Sequence, residues 1–238
     1  MEKMWHKKWW GVLLIIIIAL VLIILVAFGF YIFDAVKRIK KSELEGQILD
    51  SRLRGNDMEK QKNAEGGGNN YWLGATNPKI TIVEFFDFVC PYCKNSFPKI
   101  REIGVKYKDN VKIIVRDYPL HENSLDLAMA GRCAGEQGLF WLMYDKLFAN
   151  QGITGKEQLT EMANQIGANV GRFVDCFDQQ KYITAIRKDF ADGESLEITG
   201  TPTWFVNGYK IEGDVPIETW EEIINKFLIS NFQFLNNF

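Results

Sequence analysis

Histidine is nearly missing from this chain: its 238 residues hold two, His6 and His121. His6 stands ahead of a long apolar run, so His121 alone is left to the rest of the chain. A histidine-built metal centre is excluded on that count, and no Ser or Cys falls in a triad order with His121, which reads as a structural or surface residue. Cysteine is scarce too, with four in all. That is too few for a disulfide-dense scaffold, so the core must come from apolar packing. The composition allows it: 47% of the residues are hydrophobic and Phe occurs 17 times. A clustered basic face is also lacking. The formal net charge is -2, and nothing resembles the electrostatic footprint of a nucleic-acid binder. No internal repeat is visible.

Charge itself is absent from residues 11–33. At about 1.5 Å per residue such a run exceeds a hydrocarbon core of about 30 Å. Trp5, Trp9 and Trp10 precede it and Tyr31 lies near its end, as interfacial anchors do. A cleaved signal peptide has a shorter apolar region followed by a small-x-small site. This run continues through Phe28, Phe30, Tyr31 and Phe33 without one. It therefore predicts an uncleaved signal-anchor within a basic segment, residues 1–41. Lys3, Lys7 and Lys8 lie before the span and Lys37, Arg38, Lys40 and Lys41 after it. Taken alone, that count slightly favours a cytoplasmic C-terminal side.

Residues 42–74 are polar, carry Gly46 and Gly55, and include Gly66-Gly67-Gly68-Asn69-Asn70. Such composition buries little apolar area and predicts a flexible tether. A folded domain is expected over 75–230 and a short tail over 231–238. Residues 80–88 form an apolar strand. A helix starting at Cys90 follows, with Pro98 inside it as a kink point. A β-branched strand spans 111–115. Helical periodicity then covers 125–148, 156–166 and 170–190. Residues 203–206 and 209–211 flank Asn207-Gly208, a type I′ hairpin signal, and Pro216 opens a last helix. The fold class read from this order is α/β: a thioredoxin-like sheet with a helical insertion at about 120–198, preceded by one N-terminal transmembrane helix.

The chemistry sits at the end of the first strand, in Glu84-Phe85-Phe86-Asp87-Phe88-Val89-Cys90-Pro91-Tyr92-Cys93. A helix beginning at Cys90 turns its free N–H groups toward the first sulfur and stabilises a thiolate. A thiolate attacks disulfides where a thiol does not. Two cysteines at this spacing also suit half of a zinc site, but zinc takes four ligands and Cys133 and Cys176 are single. The pattern implies thiol–disulfide exchange with no cofactor and no metal.

Taken with Arg132-Cys133-Ala134-Gly135-Glu136-Gln137-Gly138-Leu139-Phe140-Trp141 and Gly200-Thr201-Pro202-Thr203-Trp204-Phe205-Val206-Asn207-Gly208, this segment resembles the DsbA-like branch of the thioredoxin superfamily. The resemblance spans about 77–227. It implies that Cys90 forms the mixed disulfide with substrate and that Cys93 resolves it. It also implies that Pro202 is a cis-proline beside the site, with Thr201 before it, and that Glu84 is the acid beneath the cysteines. A cis bond there turns the Thr201 backbone toward Cys90, where it can pair with an extended substrate. Pro91 limits the loop between the sulfurs, and Tyr92 is an exposed aromatic suited to substrate contact. A buried Glu84 has a raised pKa and can take the proton of the resolving thiol. Tyr92 stands where the family's bacterial oxidase often has histidine. Thr201 replaces that oxidase's typical valine and is similar to the disulfide isomerases.

Cys133 and Cys176 fall in separate helices of the insertion. Buried free thiols are one reading; in an extracytoplasmic protein a structural disulfide is the other, and the expected one. The leading functional expectation is a membrane-anchored enzyme that donates the Cys90–Cys93 disulfide to reduced, unfolded secreted or periplasmic proteins. The resemblance implies reoxidation by a membrane quinone-linked thiol oxidase. Against the charge count, a disulfide exchanger with two further cysteines suits an oxidising compartment, so the expectation is a bacterial inner or cell membrane, crossed once, with the catalytic domain outside the cytoplasm. A reductase or isomerase of the same fold, or a polypeptide-binding chaperone module, are the alternatives.

Overall fold

The computed structural model describes residues 14, 18–22, 25–38, 40, 57–66, 70–153 and 155–235. Two units are distinct, Met1–Leu53 and Arg54–Phe238. The first contains helix α1 (Ile18–Arg38), whose mean hydropathy of 2.6 and length are sufficient to cross a membrane. Leu25, Phe28 and Phe30 are all exposed. Large apolar side chains of this kind suit contact with lipid. Most of its N-terminal approach, including Trp5, Trp9 and Trp10, lies outside the described residues.

The second unit is built on a five-stranded sheet of order β1-β3-β2-β4-β5. Central β2 (Ile80–Phe86) lies parallel to β3 (Val111–Asp117) and antiparallel to β4 (Thr203–Val206). β1 (Tyr71–Gly74) pairs antiparallel outside β3, and β5 (Tyr209–Glu212) outside β4. Both faces of β2 are covered, hence its mostly apolar run, interrupted by Thr81 and the buried Glu84. Asn207 and Gly208 have φ of 48° and 92°, the positive pair that a type I′ turn requires. Helix α3 (Pro91–Lys106) connects β2 to β3 and passes unbroken through Pro98. Between β3 and β4 lie α4 (Ser124–Gly135), α5 (Phe140–Ala149), α6 (Lys156–Gln165), α7 (Val170–Asp178) and α8 (Ile183–Ser195). α9 (Ile217–Leu235) closes the unit, with Trp220 edge-on to Trp204 at 5.1 Å. The expected class, a thioredoxin-like α/β fold with helical insertion, is the one observed.

Alternation along β2 sorts its residues by face. Val83 and Phe85 join Tyr118, Ile198, Phe205 and Ala64. Phe86 joins Phe88, Cys90, Cys93, Tyr144 and Phe148 on the other side, in the same core as Cys133 and Cys176. Phe86–Phe88, Phe88–Phe148 and Tyr144–Phe148 centroids are 4.8, 5.0 and 4.9 Å apart. Tilted and edge-on pairs of this kind each contribute about 0.5–1.5 kcal/mol beyond area burial. The cysteine loop and the insertion thus share one aromatic core.

Three expectations need correction. The segment read as a tether over 42–74 contains helix α2 (Asp57–Glu65) and edge strand β1. Polar α2 has no apolar stripe to announce it. It is held by fully buried Ala64 and by Arg116, whose Nη1 donates to Ala64 O at 2.8 Å. Tyr71 in β1 stacks on Phe140 at 3.7 Å. The periodic runs 125–148 and 170–190 are each two helices, broken at Gly138 (φ 77°) and Gln180 (φ 47°). Residues 231–235, read as tail, continue α9. Arg116 also pairs with Asp189 and Asp192, and Arg132 with Asp117 and Asp189. These buried charges are matched to one another, as burial requires, and they tie β3, α4 and α8 together.

Candidate active site

Cys90 is the N-cap of α3, with φ -66° and ψ 123°, and Pro91 takes the first helical position, where a missing N–H costs nothing. Cys90 is 3% exposed, Cys93 one turn on is fully buried, and neither is bonded to the other. The Cys90 thiol donates to the Thr201 carbonyl at 3.1 Å. The Thr201–Pro202 peptide is cis and Pro202 is buried.

The two sulfurs ionise in opposite directions. Cys90 is lowered from 9.0 to about 5, first by the hydrogen bond from the Cys93 thiol; burial opposes, and the Thr201 side chain and the backbone N–H groups of Cys93 and Tyr92 add to the lowering. Cys93 is raised well above 9.0, first by burial, then by its bond to Cys90 and the charges of Glu84 and Cys90. Thr201 Oγ1 is buried without a partner while the thiol points at the Thr201 carbonyl. Once the sulfur ionises, that hydroxyl is a donor to it.

Glu84 lies in the middle of β2, paired across to Val115 and Trp204, and is 0% exposed. Tyr144 Oη donates to its Oε2 at 3.0 Å, and Oε1 has no partner. Burial raises its pKa from 4.5 to about 8; the Tyr144 bond opposes this and the Cys90 charge reinforces it. Glu84 is therefore mostly protonated at neutral pH, and its own charge, after burial and the bond to Cys90, raises the pKa of Cys93. Tyr92 is 61% exposed beside the sulfurs.

Cys133 and Cys176 form a disulfide between α4 and α7, with a Cα–Cα distance of 5.8 Å. It lies within the insertion, in the same buried core as Cys90 and Cys93. Among the described residues no group of three His, Cys, Asp or Glu is placed to hold a metal ion. A cleft of about 380 Å³ opens beside α5 and α6, lined in part by Lys146, Ile153, Glu157 and Met162; none of the redox residues lines it.

Three contributors were not singled out from sequence. Tyr144 carries the Glu84 bond. Asp87, 2% exposed, accepts from Val89 N, Leu120 N, His121 N, Ser124 Oγ and the His121 ring, and so ties the cysteine loop to the start of the insertion. Gln151 reaches the backbone of the same loop. A charge inside an apolar run was a signal for Asp87; Tyr144 and Gln151 left none.

A family model described as Thioredoxin matches residues 67–226. Among solved structures, oxidised BdbD from Bacillus subtilis superposes with a TM-score of 0.59 at 26% identity, covering 67% of this chain and 92% of that one. The thiol-disulfide exchange protein alpha-DsbA2 from Wolbachia pipientis gives a TM-score of 0.65 at 18% identity, over 72% of this chain and 94% of that one. A thioredoxin-like oxidoreductase from Silicibacter pomeroyi DSS-3 gives 0.63 at 21%, over 73% and 97%. The last two speak to fold alone. Curated relatives include Na(+)/H(+) antiporter NhaA 1 of Salinispora arenicola, 33% identical over 148 residues, which are 61% of this chain and 22% of that protein. NhaA of Herminiimonas arsenicoxydans is 30% identical over 146 residues, 61% and 24%. The chain spans about a quarter or less of the length of these relatives, and antiport is said of those longer proteins.

Proposed function

The chain belongs to the thioredoxin family, in a DsbA-like form, and on that premise we propose that it donates the Cys90–Cys93 disulfide to reduced secreted proteins outside the cytoplasm. The observation that carries this reading is the split between the sulfurs: Cys90 favours the thiolate at about 5 while Cys93 is held protonated.

In the oxidised enzyme a substrate thiolate attacks Cys90 Sγ. The Cys90–Cys93 bond breaks, a substrate–Cys90 bond forms, and Cys93 leaves with the electron pair and takes a proton, with Glu84 the nearby acid. A second substrate thiolate then attacks the substrate sulfur of the mixed disulfide, and Cys90 departs as a thiolate. The substrate dithiol has lost two electrons, and the enzyme holds them as Cys90 thiolate and Cys93 thiol. A good leaving group at Cys90 speeds the second step, because leaving-group rates rise as pKa falls. Return to the disulfide needs an oxidant, which we assign to a membrane quinone-linked thiol oxidase.

The Thr201 backbone beside Cys90 suits an extended substrate segment. α1 supports a single-pass anchor in a bacterial inner or cell membrane, and the Cys133–Cys176 bond fits an oxidising compartment. The test is to mix oxidised full-length protein with a reduced, unfolded disulfide protein and follow the appearance of disulfides. Stoichiometric transfer with trapping of a Cys90 mixed disulfide supports the reading. Slow transfer, with a reduction potential at or below the thioredoxin value of about -270 mV, moves the assignment to a reductase. Rearrangement of scrambled disulfides without net oxidation moves it to an isomerase. Substrate binding that persists unchanged in Cys90→Ser, without any transfer, leaves a chaperone module.

A further inference from the structure

Residues 88–90 carry the reactive sulfur out of the sheet, and their backbone is held from two sides. Locally, Val89 N–H donates to Asp87 Oδ1 at 2.8 Å and Cys90 N–H to Asp87 O at 3.1 Å. The other side comes from the loop after α5. There Gln151 Nε2 donates to Phe88 O at 2.8 Å and to Cys90 O at 2.9 Å. A side-chain amide nitrogen has two hydrogens, and these bonds occupy both, one on each carbonyl flanking Val89. Cys90 O also accepts Lys94 N–H at 3.1 Å, in the first turn of α3. One side chain of the insertion therefore meets the cysteine loop where the loop becomes the helix. The sulfur's distance to the Thr201 carbonyl, and its access to the N–H groups of Tyr92 and Cys93, depend on the Cys90 backbone staying in that conformation.

We propose that Gln151 is a positioning residue for the redox pair: by pinning the carbonyls of Phe88 and Cys90 it holds the Cys90 sulfur against the α3 N-terminus and Thr201, and so lets the insertion set the thiol–disulfide equilibrium of Cys90–Cys93. This rests on the reading of that pair as an exchange centre. Glutamine is suited by length and by carrying two donors on one atom. Asparagine is a methylene short. An ionised glutamate has no donor, sets acceptors against two carbonyls and adds negative charge near a thiolate. Methionine keeps the approximate shape and donates nothing.

The experiment uses the full chain in detergent as wild type, Gln151→Met, Gln151→Glu and Gln151→Asn. Each is equilibrated with glutathione, its Cys90 thiolate is titrated by ultraviolet absorbance, and the oxidised and reduced forms are melted separately. For Gln151→Met the equilibrium should shift toward the disulfide by about tenfold, about 30 mV for a two-electron couple. The Cys90 midpoint should rise by about one unit, in line with that factor. Gln151→Glu should shift further. The reduced form should lose more melting temperature than the oxidised form, because the lost contact favours the thiolate. A residue that merely braces the loop destabilises both redox forms equally. Equal melting losses, with an equilibrium constant within about threefold of wild type, overturn the proposal. Should Gln151→Met not fold, Gln151→Asn carries the same readouts, since its shorter reach breaks the clamp with less loss of polarity. The glutathione equilibrium does not depend on any protein substrate. Wild type that fails to oxidise reduced proteins defeats the proposed function and leaves the assignment of Gln151 to be judged by its own shifts.

Discussion

The depressed pKa of Cys90 has consequences for rate and for equilibrium that differ in size. At pH 7 a thiol at about 5 is roughly 99% ionised, against about 1% for one at 9.0. The hundredfold gain in thiolate is offset by lost nucleophilicity. With a Brønsted coefficient of about 0.4–0.5, four units lower attack roughly 40- to 100-fold. As an attacker at pH 7, Cys90 gains little over an ordinary cysteine. The equilibrium gains more. The reduced form is stabilised by two of the four units at pH 7, about 2.7 kcal/mol, or about 60 mV toward the oxidising side. The sign follows from the lowered pKa: the stabilisation is complete above 9.0, declines as pH falls, and is gone below about 5. Two measurements on the full-length protein check this. Alkylation of Cys90 should hold a plateau from pH 8 down to about 6 and halve near 5. The equilibrium constant for reduction by glutathione should rise about tenfold per pH unit between about 5 and 8, because one proton is released, and be flat below 5. An alkylation midpoint above 8, or first reaction at Cys93, would refute the reasoning.

Three further outcomes are expected. The Glu84 pKa is raised from 4.5 to about 8, so the folded state binds the extra proton and stability falls as pH rises between those values; Glu84→Gln should stabilise the reduced protein by about 3 kcal/mol at pH 7 and by nothing below 4.5, and a gain independent of pH in urea denaturation would count against it. Replacing both Cys133 and Cys176 by Ser opens a link across 43 residues, which loop entropy values at about 4 kcal/mol; the variant should melt lower yet keep its exchange equilibrium, and loss of exchange below its melting point would give that disulfide a redox role. Alkaline phosphatase fused after Phe238 should be active, placing the domain outside the cytoplasm, whereas an inactive fusion paired with a fluorescent cytoplasmic reporter would favour the reductase reading.

The sequence by itself determined the features whose signals are local. The uncharged run before Asp34 is legible as a helix long and apolar enough to cross a membrane, because apolar side chains favour lipid over water. β2 and β3 are legible as apolar and β-branched runs, and Asn207-Gly208 as a turn, because positive φ selects those residue types. Cys90 and Cys93 are legible as the candidate exchange pair because a strand end and a helix start put one sulfur at free N–H groups. Tertiary structure decided what depends on partners far along the chain. α2 has no apolar stripe and is held by Arg116, more than 50 residues away. β1 exists through its pairing with β3 and the stacking of Tyr71 on Phe140. The raised pKa of Glu84 comes from its complete burial in the packed chain, and the Tyr144 hydroxyl that opposes the rise lies 60 residues on. The grip of Gln151 on Phe88 and Cys90 spans 63 and 61 residues. Nothing in a glutamine between an asparagine and a glycine marks it for that place. Hydrogen-bond geometry is a property of the packed chain, and only packing brings that amide to those carbonyls.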